Sequence, residues 1–182
     1  MRLTSEMLEG LDPEDDLAFA LKDFEALDYP AGRRAREWLG SCVEKKEVPL
    51  ETYLAFGDDP RRLLGFYAIR PAAFALSRED TILLVVRRTV EEGPQPGAML
   101  ELIARAKGTS SGFGDQLVIH ALANTMAAEA VALLVEADKE VAARVWTRHR
   151  FMSFKPERRA RRAWTTLLWH PVDAPKGGDW PS

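Results

Sequence analysis

The hydrophobic pattern is most informative between Ala98 and Ala127. Apolar residues from Met99 to Ala104 predict a strand, polar residues from Lys107 to Gly114 predict a loop, and a helix is predicted to open near Gly112. The apolar positions of that helix share one side: Leu117, Val118, Ala121, Leu122 and Met126. A glycine-bearing loop before a helix brings unpaired backbone N–H groups to the positive end of the helix dipole. We name residues 107–114 the glycine loop and expect it to bind an anion.

The N-terminal pattern is mostly helical from Asp12 to Leu39. Asp12-Pro13-Glu14 has the residue types of a cap and an acidic first turn, and apolar residues then recur at one-, three- and four-residue steps. Pro30-Ala-Gly32 is expected to interrupt this helix, and a second helix is predicted from Arg33 to Val43.

Two β-type segments, Glu51 to Phe56 and Arg62 to Ile69, flank turn residues and predict a hairpin. Further strands are predicted at Ala130 to Ala137 and at Ala163 to Trp169, with a helix from about Lys139 to His149 between them. The order of elements predicts an α/β fold.

Three other stretches are less regular. The run from Ile82 to Val90 fits either a strand or a buried helix. Gly93-Pro-Gln-Pro-Gly97 is predicted to be a turn, and the tail from Pro171 to Ser182 is expected to be loose.

Length and composition narrow the function classes. A chain of 182 residues suits a single domain, here residues 1–170 followed by a tail at 171–182. Cys42 is the only cysteine, which excludes an internal disulfide and a thiolate zinc cage and favours a reducing compartment. The acidic start and the lack of a long apolar run predict a soluble, cytoplasmic protein with no membrane association.

Charge is unevenly distributed along the chain. Residues 1–30 carry nine acids and two bases, whereas residues 139–162 carry nine bases against Glu140 and Glu157. Two interpretations stay open for the basic segment: an ordinary solvated surface, or a footprint for nucleic acid or another polyanion.

The glycine loop fits neither familiar nucleotide motif. No Gly-Lys-Ser/Thr follows it, and Leu117 stands where a dinucleotide fingerprint has its third glycine. Thr109-Ser110-Ser111-Gly112-Phe113-Gly114 instead resembles the Gln/Arg-x-x-Gly-x-Gly/Ala acyl-CoA loop of the GNAT acetyltransferase superfamily.

Segments on both sides of the loop extend this resemblance to about residues 29–170. The stretch from Ala142 to Phe151 is similar to the family's Ala-x-x-Phe-Tyr-x-x-x-Gly-Phe, and the hairpin is similar to the strands before the family's core. Tyr29-Pro-Ala-Gly32 and the long connection before the central strand look most like the branch that contains toxins of toxin–antitoxin modules.

The resemblance implies a GNAT-like acyl-CoA N-acyltransferase fold and acetyl-CoA as cosubstrate. In that fold a mixed, mostly antiparallel sheet is flanked by helices and splayed where the strands ending near Ala104 and Glu136 part. The residues implied to hold acetyl-CoA are Leu102 and Ala104 in the central strand, Thr109, Ser110, Ser111, Gly112, Phe113 and Gly114 in the loop, and Lys139 near the pantetheine. Thr109, Ser111 and Lys139 depart from the family's usual Gln or Arg, cation and Asn.

The resemblance also raises a question of mechanism. Trp146 occupies the position at which many members have the tyrosine that protonates the departing thiolate, and an indole N–H does not release its proton near neutral pH. Water as the acid, Tyr67 in the acid's place, or binding without turnover are the three alternatives. Glu101 is the candidate base, against the alternative of a solvent-facing strand glutamate.

The function implied is acetyl transfer to a primary amine in a ternary complex, with aminoacyl-tRNA as the acceptor in the toxin branch. The basic 139–162 segment is implied to contact tRNA or an antitoxin, and a homodimer is left open. The alternative is a non-catalytic module that binds CoA or a partner. We expect His120 to be a packed or surface histidine, Cys42 to be buried filler, and Trp38, Trp164 and Trp169 to pack in a core or dimer interface.

Overall fold

The structure is a computed structural model and describes residues 1–74, 95–128, 130–138, 146–153 and 165–171. This part of the chain divides into two compact units. The first unit contains residues 1–70 and 100–121, and the second contains the rest of the described chain.

The described helices and strands follow one another along the chain as β1 (Arg2–Leu3), α1 (Ser5–Glu9), α2 (Asp16–Lys22), α3 (Pro30–Lys45), β2 (Glu51–Phe56), β3 (Leu63–Phe74), β4 (Gln95–Arg105), α4 (Phe113–Ala127), β5 (Ala132–Asp138), a short 3₁₀ helix (Thr147–His149), β6 (Met152–Ser153) and β7 (Thr165–Pro171).

The first unit is built on the predicted hairpin. Strands β2 and β3 pair antiparallel, with Thr52 opposite Ala68 and Leu54 opposite Phe66, and a register shift follows Ala55. Strand β1 adds to the other edge of β2, and the strand order in this unit is β1-β2-β3-β4. Alternate residues of β2 are buried, as expected for a strand with one face on a core. The predicted hairpin is confirmed.

Helix α3 covers one face of this sheet with a narrow stripe of small and apolar residues. Gly32, Ala35, Leu39 and Cys42 are its buried positions, spaced three and four residues apart. Phe66 of β3 lies beneath it, with its ring stacked on Trp38 and edge-on to Phe24. Trp38 therefore packs against the core of the first unit, as expected from its apolar surroundings.

The predicted N-terminal helix boundaries are wrong in three places. Helix α1 was not predicted, α2 ends at Lys22 rather than near Leu27, and α3 begins at Pro30 rather than Arg33. Pro30 starts its helix instead of interrupting one, because a first-turn residue needs no N–H partner within the helix.

The expected cap is also wrong. The Asp12 carboxylate accepts a hydrogen bond from the Glu14 N–H, and the Asp15 carboxylate accepts one from the Asp12 N–H. These bonds close a local turn ahead of α2, whose N-cap is Asp15.

The second unit has the strand order β4-β5-β7-β6. Strand β5 pairs antiparallel with β7 along its whole length, and β6 pairs antiparallel with β7. Four successive residues of β5, Ala132 to Val135, are buried, as the continuous apolar run predicts. The final strand is described from Thr165 to Pro171, and residues 163–164 of the predicted strand lie outside the described residues.

The predicted turn at residues 93–97 is wrong for its last three residues, which begin β4. Pro96 has no N–H, but its carbonyl accepts a hydrogen bond from the Val131 N–H at 2.9 Å, so the strand tolerates it. The Ile82 to Val90 run, residues 139–145 of the predicted fourth helix and residues 172–182 of the tail lie outside the described residues.

The predicted α/β class, with a mostly antiparallel sheet flanked by helices, is confirmed. The predicted splay near Ala104 and Glu136 concerns both units and stays a prediction. Within the described ranges, no helix is long and apolar enough to cross a membrane.

Candidate functional site

The glycine loop joins β4 to α4 and belongs to the first unit. Its start is tied to the hairpin, because the Ala106 N–H donates to the Leu64 carbonyl at 2.7 Å. On its other side, the Lys107 N–H donates to the Glu25 carbonyl at 2.8 Å. These two bonds fix the point at which the chain leaves the sheet.

Arg105, the last residue of β4, shapes the loop from inside. One guanidinium nitrogen, Nη1, donates to the Thr109 carbonyl at 3.1 Å, to the Thr109 hydroxyl at 3.3 Å and to the Ser110 carbonyl at 3.2 Å. The Thr109 hydroxyl in turn donates to the Ala106 carbonyl at 2.8 Å. The loop carbonyls are therefore directed towards Arg105.

The N–H groups of the loop divide into those that donate hydrogen bonds within the loop and those that have no acceptor there. The Thr109 N–H donates to Ala106 and the Phe113 N–H donates to Ser110. Among the residues that the structure describes, no acceptor exists for four other N–H groups at the exposed face of the loop and the first turn of α4: those of Ser110, Ser111, Gly112 and Gly114. Four unpaired donors at the positive end of a 15-residue helix form a site suited to an anion.

The glycines around the loop serve different purposes. A Cβ added at Gly65 would lie 2.6 Å from the Ala104 carbonyl oxygen and 3.0 Å from the Phe113 ring, so this glycine lets α4 begin close to the sheet. A Cβ at Gly112 would meet no atom within 4 Å. No contact inside the described protein requires glycine at 112, and its missing side chain leaves space in front of the free N–H groups.

Tyr67 is buried on β3, and its hydroxyl lies 2.7 Å from Nδ1 of His120 on α4. Its ring stacks on Tyr53, with the centroids 5.1 Å apart. His120 is exposed at the surface, as one of the two sequence alternatives has it, yet it is paired with a predicted site residue. The sequence analysis did not connect these two residues, which are 53 positions apart.

Glu101 on β4 is exposed and forms an ion pair with Arg70 of β3. The two side chains are 36% and 39% exposed, so this pair contributes little to stability and leaves the carboxylate accessible to solvent.

Trp146 lies in the second unit, where its side chain is only 5% exposed. Its ring packs edge-on against Phe151, with centroids 5.0 Å apart, and its carbonyl accepts a hydrogen bond from the Phe151 N–H.

The predicted site residues thus fall into separate groups. The structure brings Thr109 to Gly114 together around Arg105, and it places Ala104 in the core of the first unit, with Leu102 half-buried against that core. Lys139 lies outside the described residues.

Cys42 is buried, as expected, and burial raises the pKa of its thiol to about 11. Trp164 lies outside the described residues. Within the described ranges, no group of three or more His, Cys, Asp or Glu side chains is arranged to hold a metal ion.

Arg105 is the site residue that the sequence analysis missed. Its position directly after the central strand, between Ala104 and the loop, is the signal that could have found it. Burial raises the pKa of the Tyr29 phenol, and the positive charge of Arg105 opposes this rise.

The sequence alone leads to no relatives. No model of a known protein family matches it, and no characterised protein matches it either. Solved structures do match its fold.

Three matched structures are toxins or toxin complexes. A tyrosine-to-phenylalanine mutant of the AtaT toxin, bound to the C-terminus of the antitoxin AtaR and acetyl-CoA, is 19% identical with a TM-score of 0.60, and the match covers 94% of this chain and 91% of that one. AtaT in complex with acetyl-methionyl-tRNAfMet is 20% identical with a TM-score of 0.63, covering 87% and 91%. The KacTA–DNA complex is 21% identical with a TM-score of 0.53, covering 82% and 86%.

At these identities the likeness is one of fold. The predicted GNAT-like architecture is confirmed by it, and acetyl-CoA is bound in two of the matched AtaT structures. The chain has the GNAT acetyltransferase fold, in the form seen in toxins of toxin–antitoxin modules.

Proposed function

We propose that this protein is an acetyl-CoA-dependent N-acetyltransferase that acts on a primary amine, with the amino group of an aminoacyl-tRNA as the acceptor. The observation that carries the proposal is the set of four unpaired N–H groups at the start of α4. In a GNAT fold this loop faces the diphosphate of CoA, and the residues present fit such an anion because their donors are free and Gly112 is open.

The proposal assigns the cofactor contacts to the residues that the resemblance and the loop geometry favour. The N–H groups of Ser110, Ser111, Gly112 and Gly114 bind the diphosphate oxygens, whereas Thr109 and Phe113 shape the loop because their own donors are used. Leu102 and Ala104 belong to the central strand, along which the pantetheine arm is proposed to lie. Lys139 is proposed to contact the same arm. Bound acetyl-CoA supplies a thioester that a primary amine attacks, with CoA leaving as a thiolate.

Two protons must move in this transfer. The attacking amine loses one, and Glu101 accepts it, directly or through a water, because its carboxylate is exposed. The ion pair with Arg70 orients this carboxylate on β4.

The departing thiolate gains a proton, and the chain offers two groups for this step. The Trp146 indole donates a hydrogen bond but keeps its proton. Tyr67 is the proposed acid, because its hydroxyl is hydrogen-bonded to His120, which resupplies the proton.

The acceptor and the partners are proposed from charge and from the matched structures. One AtaT structure contains an acetylated methionyl-tRNA, another contains the antitoxin AtaR, and the KacTA complex contains DNA. The nine bases at residues 139–162 give this chain a segment that attracts polyanions, whether tRNA phosphates or an acidic antitoxin tail. Residence in the cytoplasm and formation of a homodimer belong to the same proposal.

Two measurements test the enzyme proposal in sequence. Acetyl-CoA is expected to raise the melting temperature of the protein, and release of free CoA thiol is expected when charged tRNA is added. Glu101→Gln and Tyr67→Phe are each expected to lower the rate at least tenfold while leaving the acetyl-CoA-induced shift unchanged. Absence of the thermal shift overturns acetyl-CoA binding. A shift without thiol release, over charged tRNA and a panel of amines, overturns catalysis.

The tRNA acceptor has its own test. Binding of tRNA is expected to weaken steeply with salt and on reversing the charges of Arg158, Arg159, Arg161 and Arg162. Indifference to both changes would exclude this acceptor.

The second candidate is a module that binds CoA or a partner without turnover. The buried indole of Trp146, packed on Phe151 in the position of the family's tyrosine, favours it. Trp146→Tyr separates the two: a gain of thiol release from background identifies a site that has lost its acid, whereas wild-type turnover excludes this candidate.

A further inference from the structure

Residues 108–114 of the glycine loop carry no cation, and Lys107, at its first position, is paired with Glu25. Thr109 and Ser111 stand where GNAT loops carry Gln, Arg or a cation, and a CoA diphosphate brings about two negative charges to the site. Backbone N–H groups supply hydrogen bonds and partial charges only. A full positive charge must come from outside the loop if the diphosphate is to be neutralised.

Two of the nearby cations are already engaged. Arg105 directs its Nη1 to three oxygens of the loop. Lys107 lies 3.2 Å from the Glu25 carboxylate.

Arg62, at the end of the β2–β3 turn, is a third cation near the loop in the described part of the chain. Its Nη2 lies 3.6 Å from the position that a Cβ on Gly108 would occupy. Within the described part of the chain, Arg62 has no carboxylate at ion-pair distance and its side chain is exposed. It is therefore, within the described residues, an unpaired guanidinium next to Gly108 of the glycine loop.

The backbone holds Arg62 in this position. Its N–H donates to the Asp59 carbonyl at 3.1 Å, which closes the turn, and the Ala106 N–H bonds the Leu64 carbonyl two residues further along the chain. Gly108 has φ of +76°, a conformation that other residues adopt with strain, and its missing side chain leaves the guanidinium room over the loop.

We infer that Arg62 is a cofactor-specificity residue, which contacts the diphosphate of the bound CoA and supplies a positive charge that residues 108–114 lack. This inference rests on the proposed function, because it assigns a residue to the same cofactor site. Arginine suits the role, since its planar guanidinium binds two phosphate oxygens at once.

Arg61 offers a matched control in the same turn. Its guanidinium lies 2.6 Å from the Asp16 carboxylate and 5.1 Å from the centre of the Phe19 ring, so it is engaged away from the loop. Arg61→Ala removes the same charge from the same turn. A general electrostatic effect would appear in both variants, whereas a direct contact is lost only in Arg62→Ala.

The experiment is calorimetric titration of the full-length protein with acetyl-CoA and with acetyl-3′-dephospho-CoA, which differ only in the 3′-phosphate. Arg62→Ala is expected to weaken both ligands by the same factor, about tenfold, since both carry the diphosphate. Arg62→Lys is expected to recover most of the affinity and Arg61→Ala to stay within about twofold of wild type. The Arg62 effect is expected to shrink at about 1 M salt, where charges are strongly screened.

Each other outcome overturns the inference. If the affinity of Arg62→Ala stays within twofold of wild type, Arg62 does not contact the diphosphate. If only the affinity for acetyl-CoA falls, Arg62 contacts the 3′-phosphate instead. An equal loss in Arg61→Ala reduces it to a general charge effect. If wild type and Arg62→Ala bind acetyl-CoA with the same affinity, only the role of Arg62 fails; if wild type binds neither ligand, the proposed function fails with it.

Discussion

Helices α3 and α4 both begin next to a glycine, but the two helix starts face different surroundings. Gly32 in the first turn of α3 is buried, and a Cβ there would lie 2.3 Å from the Leu27 carbonyl oxygen. Pro30 removes one N–H from that turn, and the Arg33 N–H donates to Tyr29. The space beside Gly32 at the start of α3 is therefore filled by the protein's own chain.

The start of α4 is open by comparison. Gly112 has no atom within 4 Å of its missing Cβ, and the free N–H groups around it lie at the surface. Glycine at position 32 is explained by packing inside the protein, whereas no contact within the described protein explains glycine at position 112. The proposed ligand would explain it, because Gly112 lies among the unpaired donors of the loop.

The largest effect is expected from a substitution at Gly32, in the first turn of α3. Gly32→Ala is expected to lower the free energy of unfolding by about 3 kcal/mol, measured by urea denaturation, because the added methyl group overlaps the Leu27 carbonyl. Gly40→Ala on the same helix is the control: its Cβ meets nothing within 4 Å, and it is expected to raise stability by up to about 1 kcal/mol. Equal stabilities of the two variants would contradict the packing explanation.

The next-largest effect is expected from removing the Arg105 side chain, which orders the glycine loop before α4. Arg105→Ala is expected to weaken acetyl-CoA binding about 30-fold, because the loop loses the three hydrogen bonds that direct its carbonyls inward. Calorimetric titration checks this. Lys107→Ala, which breaks only an exposed ion pair, is expected to stay within about twofold of wild type. A similar loss in both would show that loop order does not depend on Arg105.

A smaller effect blocks the space in front of the loop. Gly112→Ala is expected to weaken acetyl-CoA about tenfold through contact of the new methyl group with the diphosphate. Its unfolding free energy is expected to stay within about 0.5 kcal/mol of wild type, since no protein atom is displaced. Unchanged affinity would remove the explanation of this glycine by a ligand.

The smallest effect concerns the buried face of α3. Burial raises the pKa of the Cys42 thiol from 9.0 to about 11, so the unfolded chain loses this proton first as pH rises. The stability associated with the neutral thiol is complete below about pH 9 and is lost towards pH 11, with a fall of about 1 kcal/mol by pH 10. Cys42→Ala is expected to flatten this part of the stability profile. The same slope in the variant would assign it to other groups.

The sequence predicts elements well where the pattern is local. Strand β2 has the predicted bounds, and α4 opens within one residue of the predicted Gly112, because a loop glycine followed by helical periodicity depends on neighbouring residues only. The prediction of a helix cap at Asp12-Pro13-Glu14 failed because these residue types suit a helix cap and a turn equally. The hydrogen bonds of Asp12 and Asp15 form the turn.

In the candidate site, too, the sequence predicts the local features and misses the contacts between distant residues. The loop residues are readable from the glycine pattern and the resemblance. The contacts that give the loop its shape and charge are not, because Arg105 acts through oxygens that become neighbours only when the loop folds back. The Tyr67–His120 pair and the position of Arg62 depend on the hairpin, the central strand and α4 packing together, which no local pattern encodes.

The central claim is that the glycine loop binds the CoA diphosphate through its free backbone donors. Titrating acetyl-CoA into ¹⁵N-labelled protein, with the amide resonances assigned, tests it most directly. The account predicts large shifts for Ser110, Ser111, Gly112 and Gly114, with the amides of Ala31 and Gly32 at the start of α3 unmoved. Binding that leaves those four amides unchanged, or no binding at all, would contradict it.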